Sequence, residues 1–301
     1  MKKTNLILTL GLIVLASCQT ITLDKIELEE GNTKGQKTMY FKCTGFSMAE
    51  MDQSEEEGGT TRATNSQKNA TDHLVLGIYN TEGELLDSLT YQSKSDPDMP
   101  YGTFTRTLDY GKYTILALGW NGTQQCLVHS LDSITFSEGW VPNTFLCRQN
   151  IIVNDSYSNT RTLTLKRCIA RFMLYFKDTR IPQDLSEFII NISGAGKTLN
   201  SETRHCATQQ DITRTIPVTM DPSKLTYLTS YCFLPADSAS LTINIAAKDT
   251  IGEIISERTF EEVPMKINYS TNYTGNFFTI SDITTSFTFE IDFDGEFNQN
   301  F

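Results

Sequence analysis

From residue 73 onward the sequence has the period of a β-strand rather than that of a helix, with Leu74, Leu76 and Ile78 at every second position. A tight turn at 81–84 leads into a second predicted strand at 85–89. The strongest hairpin signal is Asn121-Gly122, because both residues readily adopt the positive φ that a two-residue turn requires. Further strands are predicted over 40–43, 101–108, 112–120, 151–153, 161–176, 188–192, 216–220, 225–234, 241–248 and 254–260.

Helical patterning is confined to residues 181–185, where a proline near the start permits one short helical turn. The chain closes with a regular strand over 286–293, in which Phe or Ile occupies every second position and polar residues stand between them. Many short strands at regular spacing predict an all-β protein made of β-sandwiches.

The apolar positions change parity once within residues 161–176. Leu163 and Leu165 share one parity, whereas Cys168, Ala170 and the apolar residues after them share the other. A strand cannot exchange its buried face without an extra residue, so we expect a bulge or a change of sheet near residues 166–167. The stretch 155–168 is therefore the predicted junction of two tandem β-sandwich domains. We place the N-terminal domain at 38–162 and the C-terminal domain at 163–301.

The N-terminus has the pattern of a bacterial lipoprotein signal over residues 1–17. Lys2 and Lys3 precede an apolar stretch, 6–16, which is too short for a permanent membrane span and is followed by Ser17 and Cys18. Small residues before Cys18 form a lipobox, so the Cys18 thiol is the predicted acceptor of fatty acyl chains such as palmitate, and a lipidated tether is predicted over 18–37. The alternative is an ordinary secretory signal that leaves Cys18 as a free thiol.

An acidic segment, 50–66, reads as a mobile solvated loop inside the N-terminal domain. It contains Arg62, a candidate processing site for an arginine-specific protease in an exposed loop. The alternative is a linker in which this arginine has no such role.

Charge and cysteine content narrow the function further. The 301 residues carry a net charge of −11, which opposes binding to nucleic acid. Of seven cysteines, Cys18 takes the lipid and six remain. Export permits disulfides among these six; at most one or two are expected, and their pairing is left open.

Motifs for catalysis or ligand binding fail on their spacing. The segment 193–198 resembles the end of a phosphate-binding loop, but Asn191 stands where that loop needs glycine, and a glycine-rich hairpin turn is the better interpretation. The carboxylates of 292–296 lack the glycine and glutamate spacing of a calcium loop. Three histidines lie far apart without a partner at ligand spacing. We therefore predict no catalytic, metal-binding or cofactor-binding residue, no cofactor, and no enzymatic activity.

Several segments follow the lipobox in a recognisable order, namely 74–84 (LVLGIYNTEGE), 108–121 (LDYGKYTILALGWN), 165–171 (LKRCIAR), 234–235 (LP), 263–268 (VPMKIN) and 274–278 (TGNFF). In this order they resemble the fimbrillin superfamily of type V fimbriae in Bacteroidia, most closely its minor, fimbrium-anchoring lipoproteins. One departure is Ile267, where the family commonly has arginine before the asparagine.

The resemblance implies two transthyretin-like β-sandwich domains and a fimbrial lipoprotein of the outer-membrane surface. It implies that Cys18 anchors the fibre, that other fimbrial subunits are partners through donated strands, and that the protein contributes to cell adhesion. In polymerising members an arginine protease removes the first strand, and Arg62 is the matching residue. The strand 286–293 is either a core strand or a donor.

Two other functions stay open from the sequence. The first is a surface module that binds glycan or a host or bacterial surface protein, for which an exposed platform at Trp120 or Trp140 would be evidence. The second is a secreted hydrolase, for which two facing carboxylates in a pocket would be evidence.

Overall fold

The computed structural model describes residues 35–45, 47–48, 68–69, 71–98, 100–279 and 286–290, of which 47–48, 68–69 and 286–290 are described by backbone alone. All of them belong to one compact unit, Lys34–Phe301. This part of the chain is all β, as predicted, apart from a 3₁₀ turn at Pro222–Lys224. None of its helices is long and apolar enough to cross a membrane.

Twenty strands run through the described residues. In chain order they are β1 Gln36–Thr44, β2 Ser47–Met48, β3 Lys68–Asn69, β4 His73–Tyr79, β5 Thr90–Ser93, β6 Thr103–Asp109, β7 Gly111–Trp120, β8 Cys126–Ser130, β9 Ser133–Phe136, β10 Thr144–Val153, β11 Thr160–Thr164, β12 Lys166–Arg167, β13 Ala170–Phe176, β14 Leu185–Ser193, β15 Ile212–Pro217, β16 Tyr227–Cys232, β17 Ser238–Asp249, β18 Ile254–Lys266, β19 Ser270–Gly275 and β20 Ser286–Glu290.

The strands form four main sheets in two groups. Sheet 1 has the order β11-β1-β6 and sheet 2 the order β12-β10-β7-β4-β5. Sheet 3 has the order β16-β13-β19-β20 and sheet 4 the order β15-β14-β17-β18, while β2-β3 and β8-β9 are two-stranded ribbons. Most neighbours are antiparallel, but β1 runs parallel to β11 and β13 runs parallel to β19. Sheets 1 and 3 therefore each contain two parallel neighbours that lie far apart in the chain.

Sheet 2 is buried on both faces. Leu74 and Leu76 of β4 pack in a core shared with sheet 1. Val75 of the same strand and Leu118 of β7 belong to a second core, which continues through the β8-β9 ribbon into sheets 3 and 4. Because both faces are apolar, residues 74–76 read Leu-Val-Leu instead of alternating with polar residues. The division into two domains stays a prediction. In the described chain, β12 of sheet 2 ends at Arg167, and the next strand, β13, lies in sheet 3.

The predicted change of sheet near 166–167 is confirmed. β11 lies in sheet 1, β12 pairs with β10 in sheet 2, and β13 lies in sheet 3. Leu163 and Leu165 enter the core between sheets 1 and 2, whereas Cys168 and Ala170 enter the second core. The change of parity thus marks the transfer of the chain from one core to the other.

The hairpin predicted at Asn121-Gly122 is wrong. Gly122 has the positive φ of a turn, 96°, but the two strands on either side of it do not pair. β7 is already flanked by β4 and β10, so β8 has no free edge to join and pairs with β9 instead.

The strand predicted over 85–89 is also wrong. Within that stretch only a single bridge forms, from Leu85, and the next strand starts at Thr90. The Oδ1 atom of Asn80 accepts hydrogen bonds from the backbone N–H groups of Glu82 and Glu84 at 3.0 and 2.9 Å. The turn is closed by this side chain, and the chain then leaves the edge of β4.

Two smaller predictions differ as well. The glycine-rich segment 193–198 is no hairpin turn, because β15, the partner of β14, begins only at Ile212. Gly196 instead donates its N–H to the Phe233 carbonyl at 3.0 Å, and a Cβ there would meet Cys206 Cβ at 2.5 Å. Residues 181–185 form a hydrogen-bonded turn and no helix, since β14 begins at Leu185.

Candidate functional site

The first strand, β1, is the most unusual element of the fold and the centre of the candidate site. It lies between β11, which it joins in parallel, and β6, which it joins antiparallel. In the described part of the chain, neither β6 nor β11 has another partner in sheet 1. Removing β1 would therefore leave β6 and β11 without a partner in sheet 1 and expose one further edge on each of them.

One face of β1 is fully buried. Met39 and Phe41 are 0% exposed and Cys43 is 6% exposed, while Tyr40 on the opposite face is 43% exposed. Burying each large apolar side chain contributes about 1.5–3 kcal/mol. β1 is thus a complete amphipathic strand whose apolar row fills a groove between its neighbours.

The start of β1 is fixed by polar contacts as well. Gln36 Nε2 donates to Asp109 Oδ1 at 2.9 Å, and Lys37 Nζ donates to three backbone carbonyls. The strand therefore begins inside the stretch that the sequence predicted as tether, 18–37. Residues 36 and 37 were missed because their contacts lie 73 to 120 positions away along the chain.

The predicted site residues, Cys18 and Arg62, lie outside the described residues, as does the whole acidic segment 50–66. Their place relative to β1 follows from the sequence alone. Cys18 precedes β1, and Arg62 follows it, between β1 and β4.

The two tryptophans do not form an open platform. Trp120 is 3% exposed, stacks on His73 and donates to the Gln124 carbonyl at 2.8 Å. Trp140 is half-buried, and the Arg214 guanidinium covers its ring at 3.8 Å from the centroid. The feature expected of a glycan-binding surface is thus not found at either tryptophan.

A cleft of about 280 Å³ between β6 and the loop after Leu85 holds two carboxylates, Asp87 and Asp109. Both are exposed, and Asp109 already accepts a hydrogen bond from Gln36. Burial is one way in which an active site keeps a carboxyl group protonated for general acid catalysis. Neither carboxylate of the cleft is buried, so that environment is not found there.

The six cysteines of the described chain are free thiols. Burial raises the pKa of Cys43, Cys168 and Cys232 to about 12, with a smaller effect of Cys147 on Cys43 and of Cys206 on Cys232. A thiol reacts as the thiolate, so these three groups are inert near neutral pH. Among the described residues no group of three or more His, Cys, Asp or Glu side chains is placed to hold a metal ion.

Comparison with models of protein families shows the family to which the chain belongs. Residues 47–301 match the model described as a family of unknown function, DUF6562. The chain belongs to the DUF6562 family. The matched region of this DUF6562 protein begins after β1, and no curated protein matches the chain.

The DUF6562 protein is similar to several solved structures. A "putative adhesin" from Bacteroides ovatus has a TM-score of 0.50 at 10% identity, with 88% of this chain and 95% of that chain covered. A "putative adhesin" from Bacteroides thetaiotaomicron has a TM-score of 0.45 at 11% identity, covering 73% and 89%. A fimbrial assembly protein from Parabacteroides distasonis has a TM-score of 0.41 at 10% identity, covering 85% and 96%. At these identities the first similarity supports the β-sandwich fold alone.

Proposed function

We propose that the DUF6562 protein is a fimbrial subunit of the outer-membrane surface, held there by lipid on Cys18 and joined to other subunits by strand addition. The observation that carries the proposal is the place of β1, an amphipathic strand that alone links β6 to β11 in sheet 1. Its role is mechanical and adhesive rather than catalytic.

Strand addition suits this geometry. An extended segment binds an open sheet edge through main-chain hydrogen bonds, and pockets for alternate side chains select its sequence. A groove without β1 would offer two edges and the sockets of Met39, Phe41 and Cys43. Such a groove binds a donor strand more firmly than one edge would, because the donor gains hydrogen bonds on both sides.

Cys18 and Arg62 correspond to two alternative forms of the subunit. If Cys18 keeps its lipid and β1 stays in place, the protein is an anchor at the fibre base. If an arginine-specific protease cleaves after Arg62, the chain loses both the lipid and β1 and becomes a polymerising subunit. We favour the anchor, because the segments of the chain resemble anchoring fimbrillins most closely. The fold shared with a "putative adhesin" from Bacteroides ovatus supports a surface role of this kind.

The mature N-terminus tests the proposal. Mass spectrometry of the protein from cell envelopes and sheared fibres should find a lipidated Cys18, and Cys18→Ala should release fibres into the medium. An N-terminus at Ala63 would replace the anchor with the polymerising form. A full-length chain recovered from the cytoplasm would contradict both.

A further inference from the structure

The ammonium group of Lys37 sits in a cradle of backbone carbonyls at the end of the β1 groove. Lys37 Nζ donates to the carbonyl oxygens of Asn154 at 2.9 Å, Asp155 at 3.4 Å and Tyr157 at 2.5 Å. A primary ammonium has three N–H donors, and the three carbonyls match them in number. We call residues 154–157 with these carbonyls the cradle.

The cradle is held by groups outside β1. Asn154 Oδ1 accepts the backbone N–H groups of Ser156 and Tyr157 at 3.0 and 3.2 Å, which bends the loop into a turn. Tyr110 donates its hydroxyl to Asp155 Oδ1, and Arg161 of β11 lies over the Tyr157 ring at 5.9 Å. The carbonyls are thus arranged by the loop and its neighbours, so the cradle should persist when β1 is absent.

The position of Lys37 along β1 allows the cradle to determine the register of the strand. Lys37 lies on the same face of β1 as Met39 and Phe41. It stands two residues before Met39, the first residue of the apolar row. A slip of one residue in β1 would turn the apolar row to solvent, but a slip of two would keep every apolar residue on the buried face. Alternation alone therefore cannot fix the register, whereas an ammonium that fits one place can.

We propose that the cradle recognises a lysine and sets the register of whichever strand lies between β6 and β11. This gives a sequence requirement for the partner, the partner rule, which rests on the proposed function. A strand that replaces β1 carries the pattern Lys-x-apolar-x-apolar-x-apolar. The chain's own C-terminal strand has Phe287, Phe289 and Ile291 at alternate positions, but Thr285 stands where the lysine belongs. The replacement strand is therefore a lysine-bearing segment, and the C-terminal strand of a second copy is a poor fit.

Hydrogen exchange on the intact full chain tests the cradle. Lys37→Met should speed amide exchange within β1 about ten-fold, the effect of losing hydrogen bonds to a charged group, and Lys37→Arg should restore it only in part. Lys42→Met is the matched control, because Lys42 is an exposed lysine of the same strand, and it should exchange like the unmodified chain. Residues 154–157 should keep their exchange rates in every variant. Equal rates in the Lys37 and Lys42 variants would overturn the proposal.

A second experiment tests the partner rule on the full chain cleaved after Arg62. Three labelled peptides would be compared, namely residues 34–46, the same peptide with Lys37→Met, and residues 283–295. The cleaved chain should retain the unmodified peptide 34–46 about ten-fold better than either of the other two peptides. Equal retention of all three would overturn the rule. If no peptide enters, strand exchange in the proposed function fails, while hydrogen exchange on the intact chain still decides the cradle.

Discussion

At the residue scale, single polar side chains fix segments that lie far away in sequence. Asp178 is the clearest case, because its carboxylate accepts the backbone N–H groups of three consecutive residues. The donors are Phe277 at 2.6 Å, Phe278 at 2.9 Å and Thr279 at 3.1 Å. Successive N–H groups turned towards one anion form a concave site for negative charge. The segment that leaves β19 is thereby tied to the end of β13.

Neutralising this carboxylate should loosen the segment. We expect Asp178→Asn to lower the free energy of unfolding by about 1.5–3 kcal/mol, because hydrogen bonds to a charged group are lost or weakened. Urea unfolding would measure the change, and amide exchange at 277–279 should quicken. Asp211→Asn is the matched control, since Asp211 is exposed at the start of β15 and its change should stay within about 0.5 kcal/mol. An equal effect in both variants would refute the role of Asp178.

At the element scale, the pairing of β1 decides how sheet 1 holds together. β1 contributes an apolar row on one face and backbone partners on both sides, so its loss removes packing and two ladders at once. By contrast, if β4 of sheet 2 were lost, β7 would still pair with β10, and β10 with β12. The loss of an inner strand therefore has different consequences according to the sheet in which it lies.

Truncating the buried face of β1 should be costly. Phe41→Ala should lower the free energy of unfolding by about 3–5 kcal/mol, because it leaves a cavity in a core where Phe41 is 0% exposed. Tyr40→Ala, on the solvent face of the same strand, should cost about 1 kcal/mol or less. Chemical unfolding of both variants checks the contrast, and similar losses would mean that β1 is not packed by that face.

Predictability at this scale depends on whether an element is specified locally. The change of parity between Leu165 and Cys168 located the change of sheet correctly, because alternation records which face of each strand is buried. Asn121-Gly122 misled, because a turn dipeptide fixes the local backbone but not whether the strands on either side have free edges. The site was predictable only in part. The strand at 40–43 was visible in the sequence, whereas its central place and the contacts of Lys37 required the tertiary structure.

At the scale of the whole molecule, the buried thiols link stability to alkaline pH. Burial raises the pKa of Cys43, Cys168 and Cys232 to about 12 in the folded chain, above the value of about 8.5 for an exposed thiol. Between these values the unfolded chain has lost thiol protons that the folded chain keeps. The free energy of unfolding should therefore fall as pH rises through roughly 9 to 12, and these thiols should have no effect below that window.

Urea unfolding at several pH values would show the slope. Each buried thiol should contribute on the order of 1 kcal/mol per pH unit inside the window. Cys168→Ala should have a shallower slope than the unmodified chain, although it is less stable at pH 7 because of the cavity. Tyrosine ionisation affects both chains alike, so parallel slopes would show that the Cys168 thiol ionises equally in both states.

The amino-acid sequence by itself determined that this protein is all β, where most strands lie and where the chain passes from one core to another. These features follow from the alternation of apolar residues, which is a local record of burial. Only the tertiary structure decided which strands became neighbours, that β1 lies parallel to β11, and that Lys37 and Asp178 hold distant loops. Such pairings depend on free edges and on groups a hundred residues apart, which no local pattern encodes.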